Sequence, residues 1–243
     1  MGRYKFPLWL MAFYITFLLL TVCLANRFFQ IAGIDEAGGI FVFPLSFFIL
    51  DITAEVYGYT YSRLFIWIGA VCEIIFSLTT IFVSHLPSPE YFNLTSQYQS
   101  VFDPTVRFVL STSIGTLIGE FTNIYFLTKW KIKLQGRSFI TRIILATAIG
   151  QLLLSVIVDV LAFGNKMSVS ELCWLIFCGY SWKMLYAIIL VYPTWLIVKK
   201  LKAVDQVDNF DINIDFNPFK ISLDDGVNGF ADITKPSIKS YST

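Results

Sequence analysis

The chain has 243 residues; 56% are hydrophobic, 17% are aromatic and only 14% carry a charged side chain, giving a mean hydropathy of +0.67. A soluble domain is about a quarter charged, so this composition excludes an ordinary water-solvated surface and points to membrane spans. A formal net charge of +1 says nothing about nucleic acid, and there is no basic tract able to track phosphates, so no nucleic-acid partner is expected.

Arg3 and Lys5 precede the first apolar run, 8–25. It is longer than a signal-peptide core of about 7–15 residues and further runs follow, so it reads as a retained first helix. A polar segment, 26–39, carries Arg27, Asp35 and Glu36. The second span is 40–57, after which Tyr57, Tyr59 and Tyr61 crowd a short turn with Arg63, as aromatic anchors do at an interface. The third, 64–83, is interrupted only by Glu73. The longest loop, 84–105, has Pro87, Pro89 and no Lys or Arg. Its Asn93-Leu94-Thr95 matches a glycosylation sequon, which matters only in a eukaryotic secretory pathway.

The fourth span, 108–128, holds Gly115, Gly119, Glu120 and Asn123, and the Gly pair has the spacing of close helix packing. A basic loop follows with Lys129, Lys131, Lys133, Arg137 and Arg142. The fifth span, 143–163, carries Gln151, Ser155 and Asp159. The sixth, 172–198, carries Lys183 and Pro193 and closes on Lys199, Lys200 and Lys202. Pro44 and Pro193 are expected to bend their helices or free backbone carbonyls. From Ala203 the chain turns polar, with Asp205, Asp208, Asp211, Asp215, Asp224, Asp225 and Asp232 along it. Phe210, Ile212, Ile214 and Phe216 alternate like a short strand, but a flexible tail is the preferred reading.

The predicted fold is therefore all-α: a polytopic membrane protein with six transmembrane helices in 1–202 and an acidic, flexible cytoplasmic tail in 203–243. Six spans place both termini on one side. The basic residues of the N-terminus, the Arg63 turn, the Lys129–Arg142 loop and Lys199–Lys202 all fall there, which makes both termini cytoplasmic.

Asp51 and Glu55, four residues apart, share one stripe of the second helix. Charge in hydrocarbon is costly unless it faces a cavity or a partner, so these acids predict a lined interior that binds a ligand or relays protons. The alternative is helix adhesion through polar side chains, and it is equally open for Glu120, Asn123, Asp159 and Lys183. Asp159 is the expected ion-pair partner of Lys183, and Glu73 is assigned a structural role. Cys23, Cys72, Cys173 and Cys178 lack CxxC spacing and the single His85 is far from them, so no metal is expected. GxSxG, HExxH and Walker A patterns are all absent. The reading is a non-enzyme without cofactors, whose uphill transport would need an ion gradient or a partner ATPase.

The run Phe43-Pro44-Leu45-Ser46-Phe47, then Asp51-Ile52 and Glu55-Val56-Tyr57-Gly58, resembles the signature of the queuosine precursor transporters, also described as a vitamin-uptake or ECF-type transporter family. The resemblance continues through Gly119-Glu120, Asp159 with Phe163, and Tyr180, Lys183 and Pro193, over roughly 8–200. Glu120 stands where the family usually has Gln, Asn123 where Asp is common, and Val160 where Thr is usual. The resemblance implies a six-helix importer, in a bacterial inner membrane, of 7-deazaguanines such as preQ0 or preQ1, or of queuine. A guanine-like edge presents adjacent N–H donors that a carboxylate accepts in a bidentate manner. On this reading Asp51 or Glu55 reads the base edge, Phe43, Phe47 and Tyr180 stack on it, Glu120 and Asn123 line the cavity, and Asp159 with Lys183 holds or gates it. The partners are then a small 7-deazapurine, the bilayer, and an energising subunit or second copy. Two rival readings are a substrate-binding subunit for another vitamin-like molecule, energised by a partner ATPase, and a membrane assembly factor that transports nothing.

Overall fold

The computed structural model describes residues 5–31, 34–212 and 214–220; Asp224, Asp225 and Asp232 of the acidic tail lie outside them. Six helices carry the fold: α1 (Pro7–Leu24), α2 (Phe43–Tyr57), α3 (Tyr59–Ser84), α4 (Thr95–Lys133), α5 (Phe139–Phe163) and α6 (Val169–Asp205). Five, counting α2 with the 3-10 turn Gly38–Phe41 before it, are long and apolar enough to cross a membrane. α4 has 39 residues, but Glu120, Asn123 and several hydroxyl side chains dilute its apolar stretch.

The helix ends differ from those read off hydropathy. α4 starts at Thr95, inside the segment read as the long loop, and α6 runs on to Asp205. Hydropathy marks where lipid is expected, whereas a helix continues as long as its backbone bonds are made. Pro44 sits in the first turn of α2, where its missing N–H costs nothing, so it starts that helix rather than bending it. Pro193 lies inside α6 as expected. The polar segment 26–39 is more than a connection. β1 (Phe28–Ile31) and β2 (Ile34–Ala37) pair antiparallel, Phe28 opposite Ala37, and Phe29 packs on Phe41 at 4.7 Å between rings. The strand-forming Phe28, Phe29, Ile31 and Ile34 are scattered among polar neighbours, which hides the hairpin from a hydropathy reading.

Polarity is distributed inside out. Asp51, Glu55, Glu73, Glu120, Asn123 and Gln151 are buried, while Trp9, Ile75, Phe82, Phe177 and Ile189 are exposed. Such a surface suits lipid. α2 is the central helix, packed against α1, α3, α4 and α6, with Leu50, Ile52 and Val56 fully enclosed. Lipid tails are as apolar as leucine, so association rests on close packing and interhelical polar bonds. α4 and α5 accordingly meet backbone to backbone. A Cβ on Gly119 would lie 2.8 Å from the Gly150 carbonyl oxygen, and one on Gly150 would lie 2.6 Å from that of Gly119.

One residue separates α2 from α3. Gly58 adopts φ +90°, a conformation open to glycine and strained for other residues. The segment after α6 fills the space beside it. Asp211 Oδ2 accepts from the Tyr59 backbone N–H at 2.8 Å, capping α3, and Asn209 Nδ2 donates to the Tyr57 carbonyl at 3.1 Å. Further along, Arg63 donates to the carbonyls of Asp215 and Asn217 and Trp67 to that of Pro218, while Phe216 packs on Tyr59. The tail reading of 203–243 thus changes over 206–220: this stretch is a strap across one end of the bundle. The aromatic residues read as a strand alternation are its anchors.

Candidate functional site

Asp51 and Glu55 point along the same side of α2 but into different surroundings. Glu55 meets a knot of cations. Arg142 donates to Oε2 at 3.0 Å, Lys202 to Oε1 at 2.8 Å, and Lys131 Nζ lies 3.7 Å from Oε1. Lys131 also donates to the Glu55 carbonyl and to Asp208, each at 2.6 Å, and Asp208 pairs with Lys202 at 2.9 Å. The knot ties α2 to α4, α5, α6 and the strap. It uses cations that the sequence assigned to setting topology, two of which, Lys131 and Arg142, are buried.

Asp51, one turn earlier, faces an open cleft between α2, α5 and α6, lined by Phe47, Phe48, Asp51, Thr147, Gln151 and Lys183 among others. Its carboxylate is held by two donors, Asn123 Nδ2 to Oδ1 at 2.7 Å and Thr147 Oγ1 to Oδ2 at 3.2 Å. Each oxygen keeps a second acceptor direction. Gln151 Oε1 is buried without a hydrogen-bond partner, a further acceptor within the same cavity wall.

Lys183 enters from α6. Its Nζ donates to Ser155 Oγ at 2.8 Å and lies 5.9 Å from the centre of the Phe43 ring, which packs on Phe47. The pairing expected with Asp159 is indirect: among the described residues Lys183 has no carboxylate within 4.0 Å, and Asp159 and Glu36 act on it only through their fields. Glu36, on the hairpin, is carried to a pKa of about 7 by burial, which outweighs the opposing field of Lys183. The other expected site residues stand back from the cavity. Asn123 touches it only through Asp51, Tyr180 and Asp159 are half-buried and do not line it, and Glu120 bonds Tyr14 instead.

Thr147 and Gln151 were missed as site residues, although the sequence holds their signal. Thr147, Gln151, Ser155 and Asp159 recur every four residues and form one polar stripe along α5. Its first two members line the cavity with Asp51 and Lys183, and Ser155 accepts from Lys183 one turn further on.

A bundle with an apolar exterior, buried polar side chains and five helices long and apolar enough to cross a membrane defines a membrane protein. Residues 37–198 match a family model described as "Putative vitamin uptake transporter", and the chain belongs to that family. It is a multi-pass membrane protein of a transporter family, consistent with a small-molecule substrate. Comparison with curated proteins and with solved structures finds no match.

Proposed function

We propose that the protein imports a queuosine precursor, a 7-deazaguanine such as preQ0 or preQ1, or queuine, across a bacterial inner membrane. One observation carries this reading: Asp51, held by Asn123 and Thr147 with acceptor capacity to spare, lines the cavity together with the unpartnered Gln151 Oε1 and Phe47. Adjacent acceptors against a flat apolar wall match the adjacent N–H donors and the plane of a guanine-like bicycle. Lys183 supplies one donor for an acceptor atom elsewhere on the ligand. Glu55 lies outside this reading, because its oxygens are taken by Arg142, Lys131 and Lys202.

The end of the bundle that carries Arg63, Lys131, Arg142, Lys202 and the strap faces the cytoplasm on this reading, in keeping with the excess of positive charge there.

The test is complementation in a bacterium that neither makes nor imports queuosine precursors, fed preQ0, preQ1 or queuine separately, with queuosine in tRNA as the readout. The wild-type chain restores it with at least one compound. Asp51→Asn lowers uptake about tenfold or more, the scale of one bidentate contact at about 1–3 kcal/mol, while the protein still reaches the membrane. No restoration by membrane-inserted wild type, or undiminished uptake by the variant, refutes the assignment.

A further inference from the structure

A second polar cluster lies away from the cavity, between α1, α3 and α4. Tyr14 is fully buried and donates to Glu120 Oε2 at 2.5 Å. The other oxygen, Glu120 Oε1, has no partner, and neither has Glu73 Oε2 on α3. Both acids are enclosed, at 0% and 3% exposure. Two buried hydroxyls lie on the same helices. Ser77 stands one turn beyond Glu73 and Ser113 two turns before Glu120, both buried with Oγ unpartnered. The facing is fixed independently by Gly69, one turn before Glu73, because a Cβ there would lie 2.7 Å from the Tyr14 ring. The stripe Gly69, Glu73, Ser77 therefore looks at Tyr14, and so does Glu120.

The ionisable groups that act on Glu120 are Tyr14 from α1, Asp51 from α2 and Glu73 from α3. On the side of α4 facing α5 the contacts are Gly150 and Leu154, which do not titrate. Among the described residues no Lys, Arg or His lies within 4.0 Å of either acid, in contrast to Glu55 with its three cations. Two carboxyl groups enclosed together without a cation are strongly disfavoured as a pair of anions. The pair is also linked to the cavity: Asn123, which holds Asp51, is one turn from Glu120 on α4. A change at Glu120 that turns or shifts α4 moves the donor on which Asp51 depends. Packing alone would not leave Glu73 Oε2, Ser77 Oγ and Glu120 Oε1 unsatisfied on the surfaces that face Tyr14.

We infer that the pocket formed by Tyr14, Glu73, Ser77 and Glu120 is a proton-binding site that couples substrate import to a proton gradient. The inference rests on the import reading given above. The step involves one O–H bond. A proton from the outer aqueous phase binds a carboxylate oxygen of the Glu73–Glu120 pair, and the same proton leaves to the inner phase when the substrate is released. Nothing is oxidised or reduced, and the charge of the pair rises by one and falls again. A proton fits better than a metal ion, because among the described residues no three acidic, His or Cys side chains converge to hold one.

The test uses the full chain in liposomes with labelled preQ0, preQ1 or queuine, whichever the wild type takes up, read in two ways: exchange of label against unlabelled compound with no gradient, and net accumulation driven by an alkaline interior. Wild type is expected to do both, with accumulation abolished by a protonophore. Glu120→Gln is expected to exchange at the wild-type rate while accumulation falls at least tenfold. Should that variant lose exchange as well, Glu73→Gln carries the test with the same expected split. Accumulation at the wild-type level in an exchanging variant overturns the inference, as does accumulation that follows a sodium gradient and ignores the pH gradient. Absence of exchange by the wild type with preQ0, preQ1 and queuine alike removes the import reading itself, and this inference with it.

Discussion

Asp51 and Glu55 are the same kind of residue one helical turn apart, and their surroundings separate them. Asp51 is held by two neutral donors and keeps acceptor capacity, whereas Glu55 is saturated by Arg142, Lys131 and Lys202. Removing one member of a buried ion pair leaves its partners uncompensated and costs about 3–5 kcal/mol. Glu55→Gln is therefore expected to lower the thermal unfolding midpoint in detergent sharply, and Asp51→Asn to shift it little while uptake collapses. Equal midpoints for the two variants would refute this division. The i, i+4 spacing of the acids was legible in the sequence. Which of them lines the cavity was not, because the cations that claim Glu55, Lys131 and Arg142 from the basic loop and Lys202 from the end of α6, reach it only in the packed bundle.

At the scale of elements, the stripe on α5 and the strap show how differently a pattern can be read. Thr147, Gln151, Ser155 and Asp159 are periodic and could have been found by counting fours. The strap has no period: its hold comes from single anchors, Asn209, Asp211, Phe216 and Pro218, each suited to one feature of the helix ends. Its composition reads as a solvated tail because those anchors are spaced by polar residues. Asp211 gives the strap a pH dependence. Burial carries its carboxyl to a pKa of about 7, against the Tyr59 N–H that favours the anion, while a free aspartate titrates near about 3.9. The attached state thus binds the proton more tightly than the detached one. Attachment is strongest below pH about 4, weakens as pH rises toward 7, and is flat above that. Hydrogen exchange over 206–220, corrected for intrinsic rates, is expected to be faster at pH 8 than at pH 5 in the wild type. Asp211→Asn removes the difference, and a wild-type profile without pH dependence would contradict the assignment.

For the whole molecule, the six-helix membrane architecture followed from composition and hydropathy, and the hairpin and helix ends did not. Hydropathy responds to the lipid-facing exterior, while the hairpin and the extensions of α4 and α6 depend on backbone bonding outside it. The asymmetry of charge predicts orientation. With the basic end cytoplasmic, a cysteine placed at Asn217 in a chain whose Cys23, Cys72, Cys173 and Cys178 are replaced by serine is shielded from an impermeant maleimide in intact cells and labelled after permeabilisation. Labelling in intact cells would reverse the orientation.

The joint at Gly58 also bears on the order in which the protein matures. Its sealing groups, Asn209 and Asp211, are synthesised only after all six helices, although the joint belongs to the second and third. A nascent chain can insert α2 and α3 long before it can fasten them, so the two helices stay free to adjust against α4, α5 and α6 as these arrive. The strap then fastens a joint whose two helices were made long before it.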